Sequence, residues 1–176
     1  VHRRIESPNA DRRPDGTQIS LLVIHNISLP PNEFAKNYVD HLFTNCLNPS
    51  CHPYFEEIGH LRVSAHLYID REGIITQYVP LNRRAWHAGE SSFDNRTCCN
   101  DFSIGIELQG ADHIPYTEIQ YSRLGCLTRQ LQSFFPLITM DRIVGHSDIS
   151  PGRKTDPGDS FDWKRYLTLL QSDDAF

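Results

Sequence analysis

A chain of 176 residues with 39% hydrophobic and 22% charged side chains suits a single globular domain, 1–176, and excludes a disordered chain. Seventeen Lys and Arg against 22 Asp and Glu give a net charge of -5, and the nearest basic cluster is only Arg83-Arg84, which argues against nucleic acid as a partner. No apolar run approaches the roughly 18–20 residues of a membrane helix, so no membrane partner is expected.

In chain order, residues 1–18 are polar and read as an arm lying over the surface. Residues 19–24 (ISLLVI) form a short apolar run ending in His25, as expected of a strand buried on both faces. Pro30-Pro31 breaks the chain. Asn32 is then expected to cap a helix through Phe43, with Phe34, Tyr38, Leu42 and Phe43 on one stripe. A short helix is expected at 53–58. Residues 67–70 and 74–79 flank Arg71-Glu72-Gly73 as a hairpin. Residues 102–108 (FSIGIEL) alternate, with Ile104, Ile106 and Leu108 on one face and Ser103, Gly105 and Glu107 on the other. A long helix is expected over 117–135, a short strand over 142–145 and a last helix over 162–171. Strands and helices intermix, which predicts an α/β (α+β) domain with a central mixed β-sheet flanked by helices.

The five cysteines, Cys46, Cys51, Cys98, Cys99 and Cys126, are odd in number and irregular in spacing. Reduced thiols in a cytoplasmic protein are expected rather than a disulfide framework. The segment VHRRIESPNADRRPDG lacks the apolar core of a signal peptide.

Three polar residues stand on apolar stalks: His25 after ISLLVI, Glu107 within SIGIEL and His146 after RIVG. Neighbouring strand ends aim side chains into one crevice. Asp156 follows ten residues after His146, at the far end of the loop GHSDISPGRKTDPG. Two His and one carboxylate make a catalytic-type zinc set that leaves a fourth position for water. A lone His at a strand end is more often a capped or exposed residue than a ligand, and the spacing matches no short metal motif. Cys46, Cys51, His52 and His60 also match no standard structural zinc pattern. A phosphate-binding reading of the loop fails, because six residues separate Gly145 from Gly152 and Arg153 intervenes before Lys154-Thr155.

The segments LLVIHNISLPP (21–31), HLRVSAHLYIDREGIITQYVP (60–80), RRAWHAGES (83–91), NDFSIGIELQG (100–110) and GHSDISPGRKTDPG (145–158) resemble the zinc-dependent N-acetylmuramoyl-L-alanine amidases of the AmpD type, within the amidase_2 and peptidoglycan-recognition-protein fold. RRPDG at 12–16 resembles the arm before the first strand of that branch. The resemblance implies one catalytic Zn2+ held by His25, His146 and Asp156. It implies Glu107 as general base or proton shuttle and Lys154 as the group stabilising transition-state charge. The implied substrate is a muropeptide, preferably 1,6-anhydro, cut between the lactyl group of N-acetylmuramic acid and L-alanine. The implied setting is cytoplasmic peptidoglycan recycling by a monomer, with an effect on β-lactamase regulation where that circuit exists.

The chemistry agrees with that assignment. The small residues Ser103 and Gly105 beside Glu107 are expected to leave room for substrate above the strand. Pro151-Gly152 and Pro157-Gly158 are expected to fix the loop that carries Lys154 and Asp156. Asn26, Arg62, Trp86 and Arg153 are the expected substrate contacts, the two Arg through peptide carboxylates. His66 and His87 are expected to be structural or to support the ligands, and Asp148 to close an Asx turn. Cys98 stands where a basic residue is common in the AmpD pattern. One alternative is a periplasmic or lytic amidase acting on intact peptidoglycan. Two others are a non-catalytic peptidoglycan-binding module and a zinc-stabilised interaction protein, and retention of all five catalytic-type residues argues against the binding module.

Overall fold

The computed structural model describes residues 1–34 and 36–171. In chain order the strands are β1 (Arg3–Arg4), β2 (Ala10–Arg12), β3 (Leu21–Ile27), β4 (Leu67–Ile69), β5 (Ile75–Gln77), β6 (Arg83–Ala85), β7 (Ser92–Phe93), β8 (Arg96–Thr97), β9 (Ser103–Gln109) and β10 (Ile143–Gly145). The helices are α1 (Tyr38–Phe43), α2 (Pro53–Ile58), α3 (Glu118–Phe134), α4 (His146–Ile149) and α5 (Trp163–Gln171). The main sheet runs β1-β5-β4-β9-β3-β10. Only the β4–β5 hairpin is antiparallel, so the sheet is mixed as expected.

β3 and β9 are the central pair and are paired along seven residues, from Leu21↔Ser103 to Ile27↔Gln109. All seven residues of β9 are buried, which is why its sequence carries no charge except Glu107. The alternation of β9 sorts its side chains. Ile104, Ile106 and Leu108 join Leu22 and Ile24 of β3 under α3 and α5, against Leu124, Leu131 and Tyr166. Truncating one of these central isoleucines to Ala costs about 2–5 kcal/mol. The other face carries Leu21 and Val23 against Phe102 and Ile149, and Tyr68 among Phe43, Phe55 and Tyr78.

Two expectations are corrected. The helix expected over 32–43 is only α1, opened by Asn37. Asn32 has φ +67, a left-handed conformation in a turn where its N–H donates to Ser28 Oγ, so it does not cap a helix. Ala35, within that expected helix, lies outside the described residues. The segment 1–18 is not merely draped over the surface. β1 pairs parallel to β5, β2 pairs antiparallel to β6, and Arg13 is buried. Its guanidinium donates to the carbonyls of Asn100, Asp101, Leu81 and Ser103, which satisfies a charge that burial would otherwise oppose. The expected domain 1–176 also takes in 172–176, outside the described residues. Among the described residues no helix is long and apolar enough to cross a membrane.

Candidate metal centre and cleft

His25 and Glu107 occupy paired positions on the parallel strands β3 and β9, so both side chains leave the same face of the sheet. β10 lies on the other side of β3 and delivers His146 as the first residue of α4. Asp148 Oδ2 accepts the Gly145 N–H at 2.7 Å, fixing the start of that short helix. It reaches back three residues rather than closing the forward Asx turn expected of it. The Ser147 N–H donates to the Asp156 carbonyl at 3.0 Å and ties the far end of the loop to its start. Gly152 and Gly158 have φ of +77 and +80, so the loop does use glycine where its path is left-handed. A Cβ on Gly158 would lie 2.1 Å from Asp112 Cα, so the close approach excludes other residues as well.

Three atoms converge as a result. His25 Nδ1 lies 3.0 Å from His146 Nδ1, and each lies 3.1 Å from Asp156 Oδ2. His146 Nε2 faces the Ala88 carbonyl at 3.0 Å. A carbonyl only accepts, so Nε2 carries the proton and His146 Nδ1 presents a lone pair. A lone pair and a carboxylate oxygen at 3.1 Å repel unless a cation or a proton lies between them. Ligand atoms on a tetrahedral zinc, at about 2.0–2.1 Å from the metal, lie about 3.3 Å apart, so the donor set fits a zinc ion with a small outward adjustment. Burial holds His25 neutral, with its pKa lowered to about 4. Two neutral imidazoles and a carboxylate are the protonation states that metal binding needs.

Glu107 is buried and its Oε2 has no hydrogen-bond partner among the described residues. Burial pushes its pKa well above the ordinary carboxylate value, the Asp156 charge adds to that, and Lys154 opposes it. Lys154, His146, Asp156, Glu107 and Asn26 line one cleft of about 480 Å³. The same cleft has an apolar wall, to which Leu29, Phe43, Tyr54, Ile58 and Leu61 contribute.

The expected substrate contacts divide. Asn26 lines the cleft, but its Nδ2 is already committed to Asp112 Oδ1 at 2.8 Å and the Pro157 carbonyl at 3.0 Å. Arg62, Trp86 and Arg153 are not among the cleft-lining residues. Arg62 turns back onto the carbonyls of His60 and Leu61. Trp86 follows β6 directly, with its backbone N–H held by Ser64 Oγ and the Asn9 carbonyl. Arg153 donates to the carbonyls of Ala88 and Glu90 and to Ser150 Oγ, at 2.6, 2.7 and 2.8 Å. The space expected above Gly105 is not open either. The His87 ring fills it, and a Cβ on Gly105 would lie 2.5 Å from His87 Cγ. Asp112, His113 and the apolar wall were missed. The apolar stripe of Phe34, Tyr38, Leu42 and Phe43 signalled part of the wall without saying what it faced.

Among known proteins, the family profile described as N-acetylmuramoyl-L-alanine amidase (Amidase_2) matches residues 15–159. The 1,6-anhydro-N-acetylmuramyl-L-alanine amidase AmpD of Haemophilus influenzae is 58% identical over 169 residues, 96% of this chain and 92% of that protein. A crystal structure of a selenomethionine AmpD derivative superposes with a TM-score of 0.93 at 55% identity, covering 96% of this chain and 93% of that one. The Escherichia coli amidase AmiD, solved with anhydro-N-acetylmuramic acid-L-Ala-D-γ-Glu-L-Lys, superposes with a TM-score of 0.64 at 26% identity, covering 90% of this chain and 60% of that one. The chain belongs to the N-acetylmuramoyl-L-alanine amidase family and is an amidase.

Proposed function

We propose that this amidase holds one zinc ion on His25, His146 and Asp156 and hydrolyses the amide between N-acetylmuramic acid, preferably in its 1,6-anhydro form, and L-alanine. The observation that carries the reading is the triangle of ligand atoms 3.0–3.1 Å apart, of which His146 and Asp156 line the cleft. When bound, the metal lowers the pKa of its water towards ~7 and polarises the scissile carbonyl. Glu107 takes the proton of the attacking water and returns it to the leaving amine, a role suited to a carboxyl whose pKa burial has raised. Lys154, on the cleft wall, places an ammonium near the oxygen on which charge develops, worth about 3–4 kcal/mol at such positions. The apolar wall excludes water from one side of the substrate.

The relatives support the substrate: the 58% identical protein is named for the 1,6-anhydro amide, and AmiD was solved with an anhydro-muramyl peptide. The proposed setting is cell-wall recycling in the cytoplasm, acting as a monomer. Cys46, Cys51 and Cys98 are exposed free thiols, which suits a reducing compartment. The test presents zinc-loaded protein with 1,6-anhydro-muropeptide and intact peptidoglycan side by side and reads released peptides by mass spectrometry. Release of an L-alanine-ended peptide from the anhydro compound, abolished by a chelator that leaves circular dichroism unchanged, is the expected result. Comparable release from intact wall would move the protein to the lytic or periplasmic amidases. No release with zinc bound would overturn the catalytic reading in favour of a binding module.

A further inference from the structure

His87 is buried, stands over Gly105 and meets the His25 ring edge-on, with centroids 5.0 Å apart at 85°. Its Nδ1 lies 2.9 Å from His25 Nε2, and its Nε2 lies 3.0 Å from Ser103 Oγ. Ser103 Oγ in turn lies 2.6 Å from the Cys99 carbonyl. The direction of this chain is fixed from its far end. The Cys99 carbonyl can only accept, so the serine proton lies on that bond. Ser103 Oγ therefore receives the Nε2–H of His87. His87 Nδ1 is left with a lone pair and receives the Nε2–H of His25. His25 Nδ1 is left bare, facing Asp156 and His146.

We infer that His87 and Ser103 are positioning residues that hold His25 in the one tautomer able to bind a metal. The competing state is visible in the same geometry. With its proton on Nδ1, His25 would donate to Asp156 Oδ2 at 3.1 Å and close the site to a cation. The relay opposes that state, because His25 Nε2 and His87 Nδ1 would then face each other with two lone pairs at 2.9 Å. An outer partner that orients a ligating imidazole is commonly a carboxylate or a carbonyl. Here it is a neutral ring, so His25 is oriented without adding a second negative charge to the one on Asp156. Gly105 is part of the device, since any side chain there would displace the His87 ring. Ser103 and Gly105 are thus small for the sake of His87, not of the substrate.

The inference rests on the proposed metal centre, and its test separates the two. Zinc affinity is measured on the full chain by competition with a chromophoric chelator. Imidazole tautomers are read in metal-free protein by long-range 1H–15N correlation. The expected wild-type spectrum shows His25 and His87 both protonated on Nε2. His87→Phe keeps an aromatic ring over Gly105 and removes both nitrogens. It is expected to weaken zinc binding about 10- to 100-fold while circular dichroism stays unchanged. His87→Gln, with a carbonyl for His25 and an amide for Ser103, is expected to recover most of that loss. Ser103→Ala is expected to weaken zinc binding less and to mix the two His87 tautomers. If His87→Phe does not fold, the Gln and Ala variants carry the same comparison. A wild-type His25 protonated on Nδ1, or zinc affinity indifferent to all three variants, overturns the relay. A wild-type protein that binds no zinc overturns the metal centre instead, whatever the tautomers.

Discussion

His146 Nε2 and the guanidinium of Arg153 converge on one acceptor, the carbonyl of Ala88, at 3.0 and 2.6 Å. One carbonyl with two lone pairs serves both donors. Arg153 also grips Glu90 and Ser150, so it pins the segment 88–90 against the loop after α4. The carbonyl that sets the His146 tautomer is therefore itself held in place. His25 is oriented by an imidazole and His146 by a carbonyl.

Arg153 is accordingly expected to act through the metal site and not through substrate. Arg153→Ala should weaken zinc binding about 10-fold. It should cost about 1 kcal/mol of stability, because the residue as a whole is exposed although its bonds to Ala88 and Ser150 are partly buried. KM at saturating zinc should stay near the wild-type value, since Arg153 does not line the cleft. Steady-state kinetics over a zinc series check this. A raised KM with unchanged zinc affinity would restore the substrate-contact role read from sequence.

Gly105→Ala tests the packing over β9. The new Cβ would sit 2.5 Å from His87 Cγ and 2.6 Å from its Nδ1, so the ring must move. Overpacking of this kind costs about 1–3 kcal/mol. The displaced ring also releases His25, so zinc affinity should fall together with the melting temperature. Thermal melts with and without zinc separate the two effects: the zinc-dependent rise in Tm should shrink as well as the baseline. A variant with wild-type Tm and wild-type zinc response would mean that the strand shifts and the ring does not.

The parts of this architecture that sequence made legible share one property: their position follows from the backbone. A polar residue on an apolar stalk, such as His25 or Glu107, is aimed by strand alternation alone, and the pairing of β3 with β9 puts both on one face. His146 and Asp156 follow because a short loop with paired glycines allows few paths. Long side chains were not legible. Arg153 is captured by carbonyls more than sixty residues earlier, and Arg62 by carbonyls immediately before it. Nothing in spacing distinguishes those captures from a reach into the cleft. Helix onset failed for a similar reason: Asn32 is taken up by the turn at Ser28, and α1 opens later at Asn37, whose side chain makes no capping hydrogen bond.

Acid should destabilise the protein through His66. Its Nδ1 accepts the Gly105 N–H and its Nε2 faces the Arg83 carbonyl, so the folded site holds the neutral ring. Burial first, then the Arg13 charge, lowers its pKa from 6.5 to about 3. Between those values the unfolded chain binds a proton that the folded chain does not. Stability is thus full above pH 6.5 and falls as pH drops towards 3, with a slope of up to about 1.4 kcal/mol per pH unit from this one group. His66→Asn keeps an acceptor for Gly105 and cannot charge. It should be less stable at pH 8 and flatter between pH 6.5 and 4. Urea midpoints across that range decide it, and an unchanged slope in the variant would assign the acid sensitivity to other groups.

Glu107→Gln separates the proton carrier from the metal site. Glu107 faces the cleft with Oε2 unpartnered among the described residues, so no structural bond is lost when the charge is removed. An amide of the same shape avoids burying a carboxylate that desolvation disfavours, and the metal-free variant should be at least as stable as the wild type at pH 8. Zinc binding should persist, because His25, His146 and Asp156 are untouched. The amide can neither take a proton from water nor deliver one to the leaving amine, so kcat should fall about 10²- to 10⁴-fold with little change in KM. Single-turnover assays on 1,6-anhydro-muropeptide, run beside a zinc titration of the same preparation, measure both quantities. Loss of zinc together with activity would make Glu107 part of the metal site, whereas retained activity would require another titratable group on the cleft wall, such as Lys154.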